Sequence, residues 1–317
     1  MIINTGGRTD TVQFFSEWLF NRFKAGFVFT RNPMFPDRVV KYLLTPDIVD
    51  CVVFCSKNYS PALNRLHEIT DVYNTYFFYT ITPYGSDIEK NVPSIDESID
   101  TLYKLEKIVG KKKIAWRYDP VLLTKKYDIQ KHFITFEHMC RRLSGHVDRC
   151  IFSFVQIYKK LESSWSDLNE VSPEDRLTLV RGFSSIARRY GITLQSCASL
   201  EDYSSYGIKK SGCVTLDLIG LANNVHFRKL KHNGMRSGCA CYVWHDIGKY
   251  NTCINGCRYC YANYDHEKAA ELFKSYDPDS PILLDTIKSS DHIVQGDRKS
   301  LLEKIPPDES DRQLFLF

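Results

Sequence analysis

The chain has 317 residues, 43% of them hydrophobic and 13% aromatic, which is enough apolar material for one large core. A formal net charge of +4 is too mild to mark a nucleic-acid binder by itself; such a partner is not expected, though not excluded. No apolar run of about 18 residues and no charged-then-apolar leader is present, so neither membrane spanning nor secretion is expected and the chain reads as cytoplasmic.

In chain order, the short apolar run IIN breaks into TGGRTD, the pattern of a strand entering an active-site loop. Val12, Phe15, Trp18, Leu19 and Phe23 give a helical spacing from Thr11 to Lys24. GFVFTRNP reads as a second strand ending in Arg31, Asn32 and Pro33, and DCVVFCSKN as a third presenting Ser56, Lys57 and Asn58. A helix from about Pro61 to Val72 leads to a fourth strand, TYFFYTITPYG. Ser94 caps a helix to Val109 that Gly110 closes, and KIAWRYDP is a fifth strand ending in Arg117, Tyr118 and Asp119. A helix from Ile129 to Leu143 precedes a sixth strand, RCIFSFV. Ser172 and Pro173 start a helix to Arg189, and YGITLQSC is a seventh strand ending in Cys197. Cys213 to Asn223 reads as helical, and an eighth strand is placed near Cys241 to Trp244. These strand–helix units, with polar residues at the strand ends, predict an α/β chain forming a TIM-type (β/α)8 barrel over residues 1–275, with 276–317 as an irregular tail packed on it. The alternative is a doubly wound open sheet, but no G-x-G-x-x-G follows the first strand and no P-loop occurs.

Eleven cysteines, an odd number, do not suit a disulfide framework; six fall between Cys213 and Cys260, which predicts metal chemistry in a reducing compartment. CINGCRYCY spaces Cys253, Cys257 and Cys260 as C-x3-C-x2-C, with Tyr259 just before the last. Three close thiols with no fourth in step suit an iron–sulfur cluster that keeps one iron open. The alternative is a structural zinc closed by Cys239 or Cys241, although zinc sites favour paired C-x2-C knuckles and this region has one such pair. Cys197, Cys213, Cys239 and Cys241 form a second set that could complete a second iron–sulfur cluster or a zinc site. Cys51, Cys55, Cys140 and Cys150 read as core residues.

The cysteine spacing and its aromatic resemble the signature of the radical S-adenosylmethionine (SAM) enzymes. That resemblance implies a [4Fe–4S] cluster on Cys253, Cys257 and Cys260, SAM at the fourth iron, Tyr259 near the adenine, and an external reducing electron donor. Over nearly the whole chain, RTD (8–10), RNP (31–33), SKN (56–58), TITPYG with NVPS, WRYDP and GCAC…DIGKYNTCINGCRYCYAN resemble a bacterial domain-of-unknown-function family, eighteen-forty-eight in its series. A weaker likeness, resting mainly on the cysteine loop, is to the spore photoproduct lyase group. The chain departs from the family pattern at Gly6 and Gly7, at Cys55, Ser56 and Tyr59, and at Ala198-Ser199, so a substrate different from that of commoner members is expected. Radical SAM barrels carry the motif after the first strand, whereas here it follows the last; the resemblance therefore implies a circularly permuted barrel. Gly6 and Gly7 would then stand where SAM is contacted, without the acidic residue common there.

Arg8, Asp10, Lys57, Arg117 and Asp119 all follow strands, where a barrel puts its active-site loops, and form the candidate catalytic set for an unidentified polar substrate. Asn32 joins Gly6, Gly7 and Tyr259 on the cofactor side. The plainer alternative for the charged set is a structural ion-pair network at the rim. The expected function is a radical SAM-type enzyme; the alternative is an iron–sulfur or zinc-bearing binding or electron-transfer protein without SAM chemistry.

Overall fold

The computed structural model describes residues 1–165, 168–228, 239–242 and 245–303. Eleven strands are present among them: β1 (Ile2–Asn4), β2 (Phe27–Arg31), β3 (Arg38–Leu43), β4 (Cys51–Ser56), β5 (Thr75–Thr80), β6 (Ile114–Val121), β7 (Arg149–Phe154), β8 (Thr193–Ser196), β9 (Lys209–Lys210), β10 (His245–Asp246) and β11 (His292–Gln295). Eight of these form one sheet in the order β10-β1-β4-β5-β6-β7-β8-β9, parallel throughout. Apart from β10, the order follows the chain, as successive strand–helix crossovers dictate. The sheet is open among the described residues, since β9 and β10 end it without pairing to each other.

Both faces of the sheet are buried, which is why its strands read as continuous apolar runs. Ile3, Val52, Phe54, Phe77, Trp116 and Phe152 pack with Trp18, Leu102, Phe136 and Phe183 of the surrounding helices. Their neighbours Ile2, Val53, Tyr76, Phe78, Ala115 and Ile151 form a second cluster on the opposite face, with Leu216, Leu218 and Ile219 of the helix Leu216–Asn223. Asn223 ties that helix to β5 by exchanging hydrogen bonds with the Thr75 backbone (both 3.1 Å). One helix thus fills this face near the strand starts, and the space over the strand ends stays available for a site.

The expected helix starts form for the expected reasons. Ser94 and Glu97 make a reciprocal capping box, and the Ser172 side chain caps the helix that begins at Pro173. Two expected helices are broken: Thr11–Lys24 splits at Phe15, and Pro61–Val72 reduces to Leu63–Arg65 and His67–Thr70. No helix among the described residues is long and apolar enough to cross a membrane.

The expected second strand is a correction. GFVFTR does form β2, but it pairs antiparallel with β3, and β3 pairs with β11 in a separate three-stranded sheet. Its fate is set by distant residues, since the Arg31 guanidinium binds Asp285 (3.0 Å) and Asp291 (2.6 Å). The segment from 276 is accordingly not irregular throughout: it supplies β11, and Trp18 Nε1 donates to the Ser280 carbonyl (2.7 Å). The eighth strand lies at His245–Asp246, just beyond the expected Cys241–Trp244; residues 243–244 and the terminal LFLF lie outside the described residues.

One buried group makes the fold sensitive to acid. His132 has no exposed surface, accepts from the Tyr118 hydroxyl at Nδ1 (2.8 Å) and donates from Nε2 to the Leu122 carbonyl (2.9 Å). Burial lowers its pKa to about 4, against an unfolded value near 6.5. The folded pKa is the lower one, so protonation favours the unfolded chain. The stabilisation is complete above about pH 6.5, is lost as the pH falls towards 4, and is worth about 3 kcal/mol. His132→Gln should unfold with a shallower dependence on pH in that window than the parent, read from urea midpoints. Equal slopes would contradict this account.

Candidate functional site

A cavity of about 540 Å³ opens at the C-terminal ends of β1, β4, β5, β6 and β7. Every candidate residue named from the sequence lines it except Asn32. The Asn32 side chain instead accepts from the Met34 and Phe35 backbone amides (2.8 and 3.2 Å) and shapes the β2–β3 turn.

The cysteine loop is held from below by the segment after β5. Cys257 bridges Glu89 in antiparallel fashion, Arg258 N–H donates to Ile88 (3.0 Å) and Asn91 N–H donates to Asn255 (2.9 Å). Gly256 sits at φ +69 with an added Cβ only 3.0 Å from Lys90, so a side chain there would be strained and crowded. The Cys253, Cys257 and Cys260 thiols all line the cavity, and no disulfide involves any of the eleven cysteines. Burial, helped by the neighbouring Asp10 and Cys260, pushes Cys253 up to about 12. Burial, with Glu89 and the other two thiols, pushes Cys257 well above its ordinary value. Neutral thiols are thus favoured here until something that prefers thiolate binds. As they stand, no three His, Cys, Asp or Glu side chains among the described residues close on one point as a metal site. The donor set nevertheless fits a cluster with one open iron: three thiols on one short loop, opening on a cavity. Beside them the buried Asn255 Oδ1 has no hydrogen-bond partner, an acceptor left for a ligand donor.

The charged set resolves into different roles. Asp10 is saturated by its own chain: it accepts from Ser56 Oγ (2.7 Å), the Lys57 amide (3.0 Å), the Gln13 amide (3.0 Å) and Asn255 Nδ2 (3.3 Å). Burial nonetheless raises its pKa, against the opposing pull of those donors. It joins the loops after β1 and β4 to the cysteine loop, which is a positioning role. Lys57 Nζ pairs with Glu89 (2.9 Å) and lies 5.8 Å from the centre of the Tyr259 ring. Burial works against the Lys57 charge, but Glu89 and Cys257 outweigh it and its pKa is raised. Arg117 pairs with Asp119, which also accepts from Ser153, and its guanidinium reaches Cys55 Sγ (3.2 Å). Arg8 lies 5.6 Å from the Tyr250 ring centre and makes no ion pair within 4.0 Å among the described residues.

Gly6 and Gly7 line the cavity, but their own chain already accounts for them. An added Cβ would fall 2.0 Å from the Cys55 carbonyl at Gly6 and 2.5 Å from an Asp246 carboxylate oxygen at Gly7. Sequence reasoning did not pick out Glu89 or assign a ligand role to Asp246. Glu89 is buried under Lys57, Thr82 (2.6 Å) and Tyr259. Asp246 holds the Gly7 amide (2.7 Å), Asn4 (2.9 Å) and the Gly248 amide (2.9 Å). The sequence signal for each was slight: Glu89 stands two residues after another acid, Asp87, in the segment after β5, and Asp246 ends the two-residue strand β10.

The second cysteine set also comes together. Cys213 and Cys241 lie 3.3 Å apart, sulfur to sulfur, with Cys197 beside Cys213 and Cys239 beside Cys241. All four line the wall of the same cavity.

A family model described as "Domain of unknown function (DUF1848)" matches residues 2–262. No curated protein and no solved structure matches the chain.

Proposed function

The chain belongs to this domain-of-unknown-function family, and from that premise we propose that it is a radical SAM-type enzyme acting on a polar substrate. The observation that carries the proposal is the opening of three closely spaced thiols, Cys253, Cys257 and Cys260, onto a 540 Å³ cavity that also holds charged side chains. A [4Fe–4S] cluster on those thiols would supply the electron that cleaves SAM reductively, fed by an external reductant.

The chain's own residues then divide the remaining work. Arg8, without an ion pair of its own among the described residues, offers a cation to a carboxylate or phosphate on SAM or substrate. Asn255 Oδ1 offers an acceptor. The Lys57–Glu89 and Arg117–Asp119 pairs are preorganised polar walls that bind a substrate without reorganising. Phe78, Phe154 and Val155 supply apolar lining that keeps water from a reactive intermediate. We also read the parallel sheet as a circularly permuted (β/α)8 barrel. In support, strand order follows chain order, and Tyr242 N–H donates to the Val214 carbonyl (3.2 Å) between the segments flanking β9 and β10.

The test is anaerobic reconstitution with iron and sulfide, followed by dithionite and SAM. Formation of 5′-deoxyadenosine supports the reading; iron without it would leave a cluster-bearing binding or electron-transfer protein. Arg117→Gln and Asp119→Asn should hold iron and uncoupled 5′-deoxyadenosine formation within about twofold of the parent while blocking substrate turnover. Loss of iron in those variants would show that the pair is structural.

A further inference from the structure

We propose that Cys197, Cys213, Cys239 and Cys241 form a tetrathiolate site for a single tetrahedral divalent ion, zinc by its chemistry, separate from the three-cysteine loop. The four thiols arrive from three segments: the residue after β8, the residue after the β9 turn, and the stretch leading to β10. Chance clustering of four soft donors at one seam is less expected than the common fate of a buried cysteine, which is to act as a small lone hydrophobe.

Distance decides what the set could hold. Four thiolates about 2.3 Å from a zinc ion stand about 3.8 Å from one another. The Cys213–Cys241 separation of 3.3 Å is close to that, with Cys197 beside Cys213, Cys239 beside Cys241, and all four on one wall of the cavity. A four-iron cluster puts an iron under each thiolate and so needs them much farther apart. The site also has the outer partners that thiolate ligands require. Val214 N–H points at Cys241 Sγ (3.4 Å), and the Arg117 cation acts on both Cys197 and Cys213. The backbones are pressed together to allow it, since an added Cβ at Gly212 would fall 2.4 Å from the Ala240 carbonyl.

The thiols stand as a linked row, and no three close on one point. Binding therefore requires one or two of them to turn between staggered rotamers. Each neutral thiol that becomes a ligand gives its proton to solvent, and the ion keeps its charge, so no electron moves. The bound ion would staple the β9 side of the sheet to the β10 side, next to the entry of the cysteine loop. This proposal does not rest on SAM chemistry.

The test uses the full chain, expressed with added zinc and iron and purified anaerobically without chelator. About one zinc per chain is expected, with X-ray absorption showing four sulfur neighbours near 2.3 Å. Zinc should vanish from the Cys213→Ser/Cys241→Ser double variant and persist in the Cys253→Ala/Cys257→Ala/Cys260→Ala triple variant. If the double variant does not fold, cadmium added to metal-free parent and triple variant should give the same thiolate charge-transfer band in both. Absence of zinc and of that band would overturn the proposal. So would nitrogen or oxygen neighbours, or iron in place of zinc in the triple variant. Zinc lost from the triple variant but kept in the double would place the ion on the loop, which would count against the cluster reading as well.

Discussion

Cys257→Ala protein, reconstituted anaerobically, should hold less than about a tenth of the parent's iron and form no 5′-deoxyadenosine. Cys257 is the middle thiol of the three proposed to hold the cluster and the residue is 6% exposed, so no solvent ligand can easily take its place. Its backbone is fixed by the bridge to Glu89, and the adjoining Arg258 amide is bound to Ile88, so the loop cannot slide to bring another thiol into register. Folding should survive, because the change removes one small buried sulfur at a cost of about 1 kcal/mol. Full iron retention in a folded variant would remove Cys257 from the ligand set and with it the C-x3-C-x2-C reading.

Glu89→Ala should destabilise the protein by roughly 3–5 kcal/mol, because it strips a buried ion pair of one partner. The Lys57 and Glu89 side chains are 12% and 1% exposed, so the lysine left behind has little water to turn to. Thr82 and Tyr259 lose their shared acceptor at the same time. Glu89→Gln keeps an acceptor and should cost less. The Lys57→Met/Glu89→Leu double variant should recover much of the loss, as apolar replacement of a buried pair often does. Urea midpoints and slopes give these energies. A Glu89→Ala variant within about 1 kcal/mol of the parent would show that water or rearrangement already satisfies Lys57.

Six strands of the parallel sheet, β1 and β4 to β8, were readable because each runs apolar residues into a polar end, as in Cys51–Ser56 running into Lys57, whereas β9, Lys209–Lys210, has no apolar run to announce it. Those ends meet at one rim, which is why Arg8, Lys57, Arg117 and the cysteines could be grouped from the sequence. The second strand failed for a non-local reason. FVFTR has the right composition for a parallel strand, but its partners are β3 and, through Arg31, two aspartates more than 250 positions away. Asn32 was carried off the site with it. Glu89 escaped notice because nothing in YGSDIEKNVP separates it from the exposed Asp87 beside it; only burial against Lys57 and Tyr259 does so. The roles of Asp10, Gly6 and Gly7 were equally hidden. Their close partners, Cys55 and Ser56 of β4 and Asp246 of β10, come from other strands, and only the fold brings them within reach.

The most direct test of the central claim measures iron and 5′-deoxyadenosine on one anaerobic preparation of the full chain, beside the Cys253→Ala/Cys257→Ala/Cys260→Ala variant. The account predicts about four irons per chain and SAM-dependent 5′-deoxyadenosine in the parent, with both absent from the variant. A parent that takes up no iron, or a variant that keeps the parent's iron, would contradict it.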